Sequence, residues 1–372
     1  MRNKEVIHWL ESQVPTRLAE SWDHVGWQLG DQEEAARGIL WALEADERSI
    51  AVAQHHNLNL IIVHHPLFFR PVTRLLQHSY PGKAAHLALR AGISIYAAHT
   101  NLDNVDQGSS WSFARAAGLT QLRLAPLRQT TEHCKVVVFV PEEGLEPVRS
   151  AMAAAGAGWI GNYSECSFAA PGIGTFLPQA GTHPYSGKPG RLERVREYRL
   201  ETITSQANLS AVVQALCAAH PYEEVAYEVY PLVYPRQEHG ALVLSDLPEP
   251  VLLRELAASL KMQMQLVAVR VLAPDRNQVV KRIAVCAGSG GDFIADALRA
   301  DADLLLTGEC RYHQGQEARR QGMALITVGH ARSETPVLVE WAEKTGQWLA
   351  GREHGQLPVM VHTRCDDDGE LW

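Results

Sequence analysis

Four apolar residues, Leu60-Ile61-Ile62-Val63, run without a break into His64-His65-Pro66. Side chains alternate across a strand, so an unbroken apolar run has to be covered on both faces. The proline then stops the ladder, because it has no amide to donate. Strands of this kind belong to α/β folds, in which helices cover both sides of a sheet. The histidine pair adds a second constraint. Adjacent side chains on a strand point to opposite faces, and only a strand end lets both imidazoles converge. Neutral imidazole is a common transition-metal ligand, so the pair is a candidate metal centre; a solvated strand end is the plain alternative.

The same grammar extends over two blocks of the chain. In the first, a strand over Gly38–Leu43, a helix near 47–56, the Leu58–His65 strand, a helix near 82–91 and a strand over Ile93–Ala98 follow one another. In the last, strands at Lys281–Cys286, Asp303–Leu306 and Ala324–Val328 alternate with helices near Gly291–Arg299 and Gln314–Arg320. The two blocks read as halves of one α/β unit, residues 1–128 and 239–372. The middle block, 129–238, differs. Lys135–Val140 is a strand, Glu142–Ala155 a helix, and Arg194–Glu201 alternates charged and apolar residues as a one-sided antiparallel strand does. Ala207–His220 is a helix and Val225–Tyr230 a strand, which together predict an inserted ferredoxin-like α+β module.

Bulk properties narrow the function. With 372 residues the chain exceeds one simple core. Its formal charge of −8 argues against general nucleic-acid binding, which needs a basic face. No apolar stretch approaches the roughly 20 residues of a membrane span, and the charged first residues read as an amphipathic helix rather than a signal core. Six scattered cysteines without a C-x-x-C pair fit free thiols in a reducing cytoplasm and disfavour a thiolate zinc site.

The polar clusters fall where strands end. His64-His65, His99-Thr100-Asn101-Leu102-Asp103, Gly288-Ser289-Gly290-Gly291, Thr307-Gly308-Glu309 and Gly329-His330 with Glu334 each follow an apolar run. Open α/β sheets place ligand sites at that edge. His330 and Glu334 stand four apart and share one side of a helical turn. With His64, His65 and Asp103 they offer three imidazoles and two carboxylates, a set suited to zinc, with manganese or iron as alternatives. Five ligands exceed what one zinc ion needs; a carboxylate bridging two ions roughly 3.5–4 Å apart accounts for the surplus. Gly288, Ser289 and Gly290 open a helix and could cradle a phosphate, or simply make a tight turn. His99, Glu309 and His313 are candidates for acid–base work, with His99 also able to orient a ligand. His220-Pro221-Tyr222-Glu223-Glu224 reads as a helix end compensating the dipole.

Taken together, these segments and Trp22-Asp23-His24-Val25-Gly26 resemble the GTP cyclohydrolase 1 type 2 homologues, the NIF-three-like dinuclear-metal proteins. The middle block, through Gly161–Phe168, Gly174-Thr175-Phe176 and His220–Tyr227, resembles the PII/CutA-like insert of the long bacterial members. The resemblance implies two divalent ions held by His64, His65, Asp103, His330 and Glu334, with Glu334 bridging. It implies a toroidal homohexamer and hydrolytic opening of the purine ring of GTP with release of formate. The alternative is a non-enzymatic metal-binding regulator or scaffold whose insert senses a small molecule. His24 replaces a usual asparagine, Ala331 replaces a common aromatic, and the tail from about Gly351 departs from the family's ending. These departures touch substrate contacts and subunit packing rather than the implied ligands.

Overall fold

Every residue of Leu60–Val63 is fully buried, as an unbroken apolar strand requires. In this computed structural model the described residues are 1–125, 129–160, 163–235, 239–351 and 357–363. The boundaries expected at 128/129 and 238/239, the Gly161-Asn162 pair, Cys365 and much of the tail fall on positions outside them. By their internal contacts the residues divide into two units, 1–127 with 238–372, and 128–237.

In chain order the first segment holds α1 (Asn3–Gln13), β1 (Gly26–Leu29), β2 (Ile39–Ala42) and α2 (Glu47–His55). It continues with β3 (Leu60–Val63), α3 (Gly82–Arg90), β4 (Ser94–Ala97), α4 (Thr100–Asn104), α5 (Ser109–Ala116) and β5 (Leu122–Leu124). The middle segment is β6 (Gln129–Val140), α6 (Leu145–Ala154), β7 (Ser167–Phe176), β8 (Glu193–Ser205), α7 (Leu209–Ala219) and β9 (Tyr227–Pro235). The last begins β10 (Val243–Leu252), α8 (Leu253–Gln263), β11 (Arg270–Leu272), β12 (Val279–Ser289) and α9 (Ile294–Arg299). It ends β13 (Leu304–Glu309), α10 (Tyr312–Arg320), β14 (Ala324–Thr327), α11 (His330–Ala350) and β15 (Val359–His362). The fold is mixed α/β.

The larger unit contains two sheets rather than one. Five strands pair in the order β1-β4-β3-β2-β15, with β15, β2, β3 and β4 parallel and β1 antiparallel at the edge. Six pair as β11-β14-β13-β12-β10-β5, with β12, β13 and β14 parallel. The halves exchange edges: β15 from the tail joins the first sheet, and β5 from the first segment joins the second. Leu60 and Ile62 pack with Val6 and Leu10 of α1 and with Val337, Leu338 and Trp341 of α11. Ile61 and Val63 face the other way, onto Ile50 of α2 and Ala84 and Ala88 of α3. Period-two alternation with both faces apolar thus yields one strand buried between two helical layers. Trp41 donates its indole N–H to Thr345 Oγ1 of α11 at 3.2 Å, and Trp9 stacks on Trp348 with centroids 4.6 Å apart. These contacts hold α11 along the first sheet.

The smaller unit is one antiparallel sheet in the order β7-β8-β6-β9, reached by a strand–helix–strand–strand–helix–strand path. Val136, Val138 and Val140 of β6 and Leu200 of β8 cover Val148 and Met152 of α6 and Val212 and Leu216 of α7. Strand β7 runs through Pro171, Gly172 and Gly174, residues that read as irregular chain. It sits at the sheet edge, where a proline removes no obligatory ladder bond. Among the described residues the cysteines are free thiols, and no helix is long and apolar enough to cross a membrane.

Candidate metal centre

Parallel strands carry their carboxyl ends to one place. His64 and His65 follow β3 and keep its ladder for two more residues, their amides donating to Ala42 O at 3.1 Å and Leu43 O at 2.8 Å. Only then does Pro66 release the chain. His99 follows β4 and Asp103 lies on the short helix α4. Gly288 and Glu309 close β12 and β13, and His330 opens α11 one turn before Glu334.

Glu334 is the centre of the cluster. The residue is 3% exposed, yet its carboxylate lies 3.0 Å from His65 Nε2, 3.2 Å from His330 Nε2 and 3.6 Å from His64 Nε2. His64 Nε2 is also 3.5 Å from Asp103 Oδ1. Each imidazole is held from behind. His64 Nδ1 donates to the Ala98 carbonyl at 3.0 Å. His65 Nδ1 lies 3.4 Å from Glu44 Oε1, and His330 Nδ1 lies 3.2 Å from Glu309 Oε1. A proton fixed at Nδ1 leaves the Nε2 lone pair facing inward, the tautomer a metal requires.

Electrostatics follow from that geometry. Burial disfavours a charged imidazole, but the facing Glu334 carboxylate overrides it, raising His65 to about 10 and His330 to about 9. His64 is raised too, by Asp103 and Glu334 against its complete burial. Burial would push the Glu334 carboxyl up; the imidazoles hold it well below its ordinary value. The buried carboxylate thus draws positive charge strongly: protons on the imidazoles supply it here, and a metal ion would supply it in their place. Nε2 of His64 and Oε2 of Glu334 are buried without a hydrogen-bond partner of acceptable geometry, although His65 Nε2 approaches the latter. These are atoms that a metal ion would engage, and the donor set fits one.

Two triads have ligand atoms all within 4.8 Å of one another and could each hold a metal ion: His65, His330 and Glu334, and His64, His65 and His99. Among the described residues the cluster group that Asp103 approaches is His64, whereas His99 sits inside the second triad. Behind His99, Asp23 Oδ1 accepts from Nδ1 at 2.9 Å, and Oδ2 accepts from the Thr100 amide at 3.0 Å. Those bonds and the His99 charge overcome burial and hold the Asp23 carboxyl far below the usual range. Trp22 and Phe69, half-exposed and with centroids 5.9 Å apart, flank His99 at 6.1 and 6.0 Å.

The remaining expected residues are placed differently. Glu309 backs His330 instead of facing the cluster's interior, and His313 sits exposed on α10 against Tyr312, with no contact to these groups among the described residues. Gly288 to Gly291 lead into a 3₁₀ turn, Gly290–Phe293, that runs directly into α9, and the glycine amides are partly engaged. Gly288 N donates to Ser333 Oγ at 2.8 Å and Gly290 N to Thr307 Oγ1 at 2.9 Å. Ser289 lies between them. Sequence reasoning did not single out Glu44, although it stands two residues beyond β2, at the same sheet edge as the others.

The family model described as Duf34/NIF3 (NGG1p interacting factor 3) matches residues 1–363. The chain belongs to the Duf34/NIF3 family. Its relatives include a Mycobacterium tuberculosis protein named GTP cyclohydrolase 1 type 2 homolog, 37% identical over 374 residues and covering 100% of this chain and 97% of that one. A protein of the same name from Halalkalibacterium halodurans is 37% identical over 325 residues, 87% of each chain. Among solved structures, a Bacillus cereus protein related to NIF3 superposes with a TM-score of 0.68 at 33% identity, covering 100% of this chain and 99% of that one. A whole-chain match at these identities makes Duf34/NIF3 membership a statement about both the core and the middle segment.

Proposed function

We propose that this Duf34/NIF3 protein is a dinuclear-metal hydrolase that opens a purine nucleotide ring with release of formate, as its relatives' name suggests for GTP. The observation carrying the reading is the buried Glu334 carboxylate faced by three Nε2 atoms whose Nδ1 partners are already fixed. His64, His65, Asp103, His330 and Glu334 are the residues that would hold two divalent ions, zinc foremost and manganese or iron next. Bound there, such ions supply Lewis acidity that activates water and polarises a ring carbon.

The chain's own residues do the rest. His99, held by Asp23, presents Nε2 and can take a proton from water or return one to a leaving nitrogen. The Asp23 carboxylate fixes that tautomer and the orientation of the ring. Trp22 and Phe69 offer exposed ring faces beside His99 that suit a planar heterocycle. Glu309 and Glu44 orient His330 and His65 and take no proton from substrate. In this reading the segments 1–128 and 239–372 form the catalytic core, the protein works in the cytoplasm, and a closed homohexamer is its assembly. The segment 129–238, with its observed strand order, is read as a ferredoxin-like, PII/CutA-like insert.

One paired measurement tests the function. Metal content and formate release from GTP are followed for the wild type and for Glu334→Gln. About two ions per chain with turnover, both lost in the variant, support the hydrolase. A wild type that takes up metal but turns over no nucleotide overturns it and favours the regulator.

A further inference from the structure

A second cavity lies wholly within the smaller unit and plays no part in the proposed hydrolysis. Its volume is about 390 Å³, enough for a small organic molecule. Four aromatic rings line it: Phe139 of β6, Phe176 of β7, and Tyr185 and Tyr222 from the loops beside them. Tyr185 and Tyr222 stand 5.7 Å apart between centroids at 42°, and Phe176 lies 6.5 Å from Tyr222 at 52°. Three walls of a cage are therefore set at angles to one another instead of stacked shut.

The polar part of the lining has one sign. Glu197, Glu223 and Glu224 contribute carboxylates, and among the described residues no lysine, arginine or histidine lines the cavity. None of the three is ion-paired among the described residues. Glu197 is fixed in place, since Tyr222 donates its hydroxyl to Oε1 at 2.9 Å. The other carboxylate oxygen lies against Gly174, where a Cβ would fall 1.9 Å from Oε2; only glycine leaves Glu197 that position. Glu223 accepts from the His183 amide at 2.9 Å, which ties the loop carrying Tyr185 across the cavity.

The neighbouring cations do not cancel this charge. Arg199 lies 5.9 Å from the Phe139 centroid but is outside the lining and is held by Glu201 at 2.8 Å. His220 packs edge-on to Tyr222 at 4.9 Å, where its Nε2 donates to Phe139 O at 3.0 Å and its Nδ1 accepts from Tyr222 N. Both ring nitrogens are thus committed in the neutral form, and burial lowers its pKa further. Of the His220-Pro221-Tyr222-Glu223-Glu224 segment, which reads in sequence as a helix end, Tyr222, Glu223 and Glu224 thus line the cavity, with His220 packed against Tyr222.

Aromatic faces combined with uncompensated carboxylates are the recognition chemistry of organic cations. We propose that this cavity binds a small alkyl- or arylammonium ion, its head group against the rings of Tyr185, Tyr222 and Phe176 and its charge opposite Glu197. A neutral ligand of the same shape would gain the apolar contact but not the electrostatic part, and an anion would be repelled.

Calorimetric titration of the full chain with benzyltrimethylammonium, benzyl alcohol and benzoate tests this. The ammonium ion should bind once per chain, with Kd at least roughly tenfold below that of the alcohol, a factor corresponding to about 1.4 kcal/mol, and benzoate should not bind. Glu197→Gln and, separately, Tyr185→Ala on its exposed loop should each weaken the ammonium ion about tenfold while leaving metal content unchanged. Equal affinity for the alcohol would make the cavity merely apolar and overturn the assignment. So would no saturable binding at millimolar concentration, or binding indifferent to both variants. The comparison of the three probes on wild type decides the matter even if one variant fails to fold.

Discussion

A Cβ placed on Gly288 would fall 2.2 Å from Oε1 of Glu334 and 3.4 Å from Nε2 of His330. The turn after β12 is thus shaped by the cluster's central carboxylate. Gly288 also holds φ at +65°, in the left-handed region that disfavours a side chain. Gly288→Ala should therefore do two things at once. It should cost about 1 kcal/mol of stability from backbone strain and push Glu334 out of reach of His330, with a marked fall in metal content. Denaturant unfolding and elemental analysis of the purified variant check the two effects. Unchanged metal content would mean that the Glu334 carboxylate can shift without consequence.

Glu334→Gln keeps the shape and removes the charge. In the metal-free protein His65 and His330 are held protonated to about 10 and about 9 because the carboxylate outweighs burial. Without it burial is opposed only by Glu44 behind His65 and Glu309 behind His330, so both imidazoles should titrate well below those values. NMR titration of the ring protons in chelator-treated protein reads the shift directly. The same variant should not retain metal, since a neutral amide is a poor ligand among imidazoles.

A second carboxylate on the same helix serves packing. Glu340 of α11 accepts from Arg115 Nε at 3.0 Å and from Ser112 Oγ at 2.7 Å, both on α5. Burial would raise its carboxyl, but these donors prevail and hold it below 4.5. A depressed folded-state value gives stability that is complete above the unfolded pKa and is lost as pH falls through the folded one. Wild type should therefore lose stability faster than Glu340→Gln below about pH 4.5. At neutral pH the variant should be less stable by about 1 kcal/mol. Parallel urea melts from acid to neutral pH check both slopes, and the difference should vanish at the acid end.

Much of this site was legible because strand ends are punctuated in the sequence. Leu60–Val63 into His64-His65-Pro66 announces both a buried strand and its stop, and Ser94–Ala97 into His99 repeats it. What stayed hidden depends on partners remote in sequence. Nothing local in Val359–His362 says that it pairs with Ile39–Ala42, or that Leu122–Leu124 crosses to the other sheet. α11 runs for 21 residues through Pro336, with its apolar face packed on Trp41 and the first sheet, contacts that no local pattern announces. Gly288 reads as a phosphate turn, and only the fold reveals Glu334 against it. Glu44 escaped notice because a carboxylate after a short strand resembles any solvated loop residue.

Asp103 and His99 compete for one role, and their geometries predict different outcomes on removal. Asp103 Oδ1 lies 3.5 Å from His64 Nε2, whereas His99 belongs to a triad with His64 and His65 and has its own carboxylate behind it. If Asp103 is a ligand and His99 moves protons, Asp103→Ala should lose metal and turnover together. His99→Ala should then keep its metal and lose turnover by about two to four orders of magnitude, the usual worth of a positioned acid or base. Asp23→Asn provides the discriminating control, because it leaves the His99 ring present while removing the carboxylate that accepts from its Nδ1. It should lower turnover at unchanged metal content, because the ring that moves the proton is then no longer held in place by a carboxylate. Should His99→Ala lose metal as completely as Asp103→Ala, His99 is itself a ligand, and the proton has to be moved by another group.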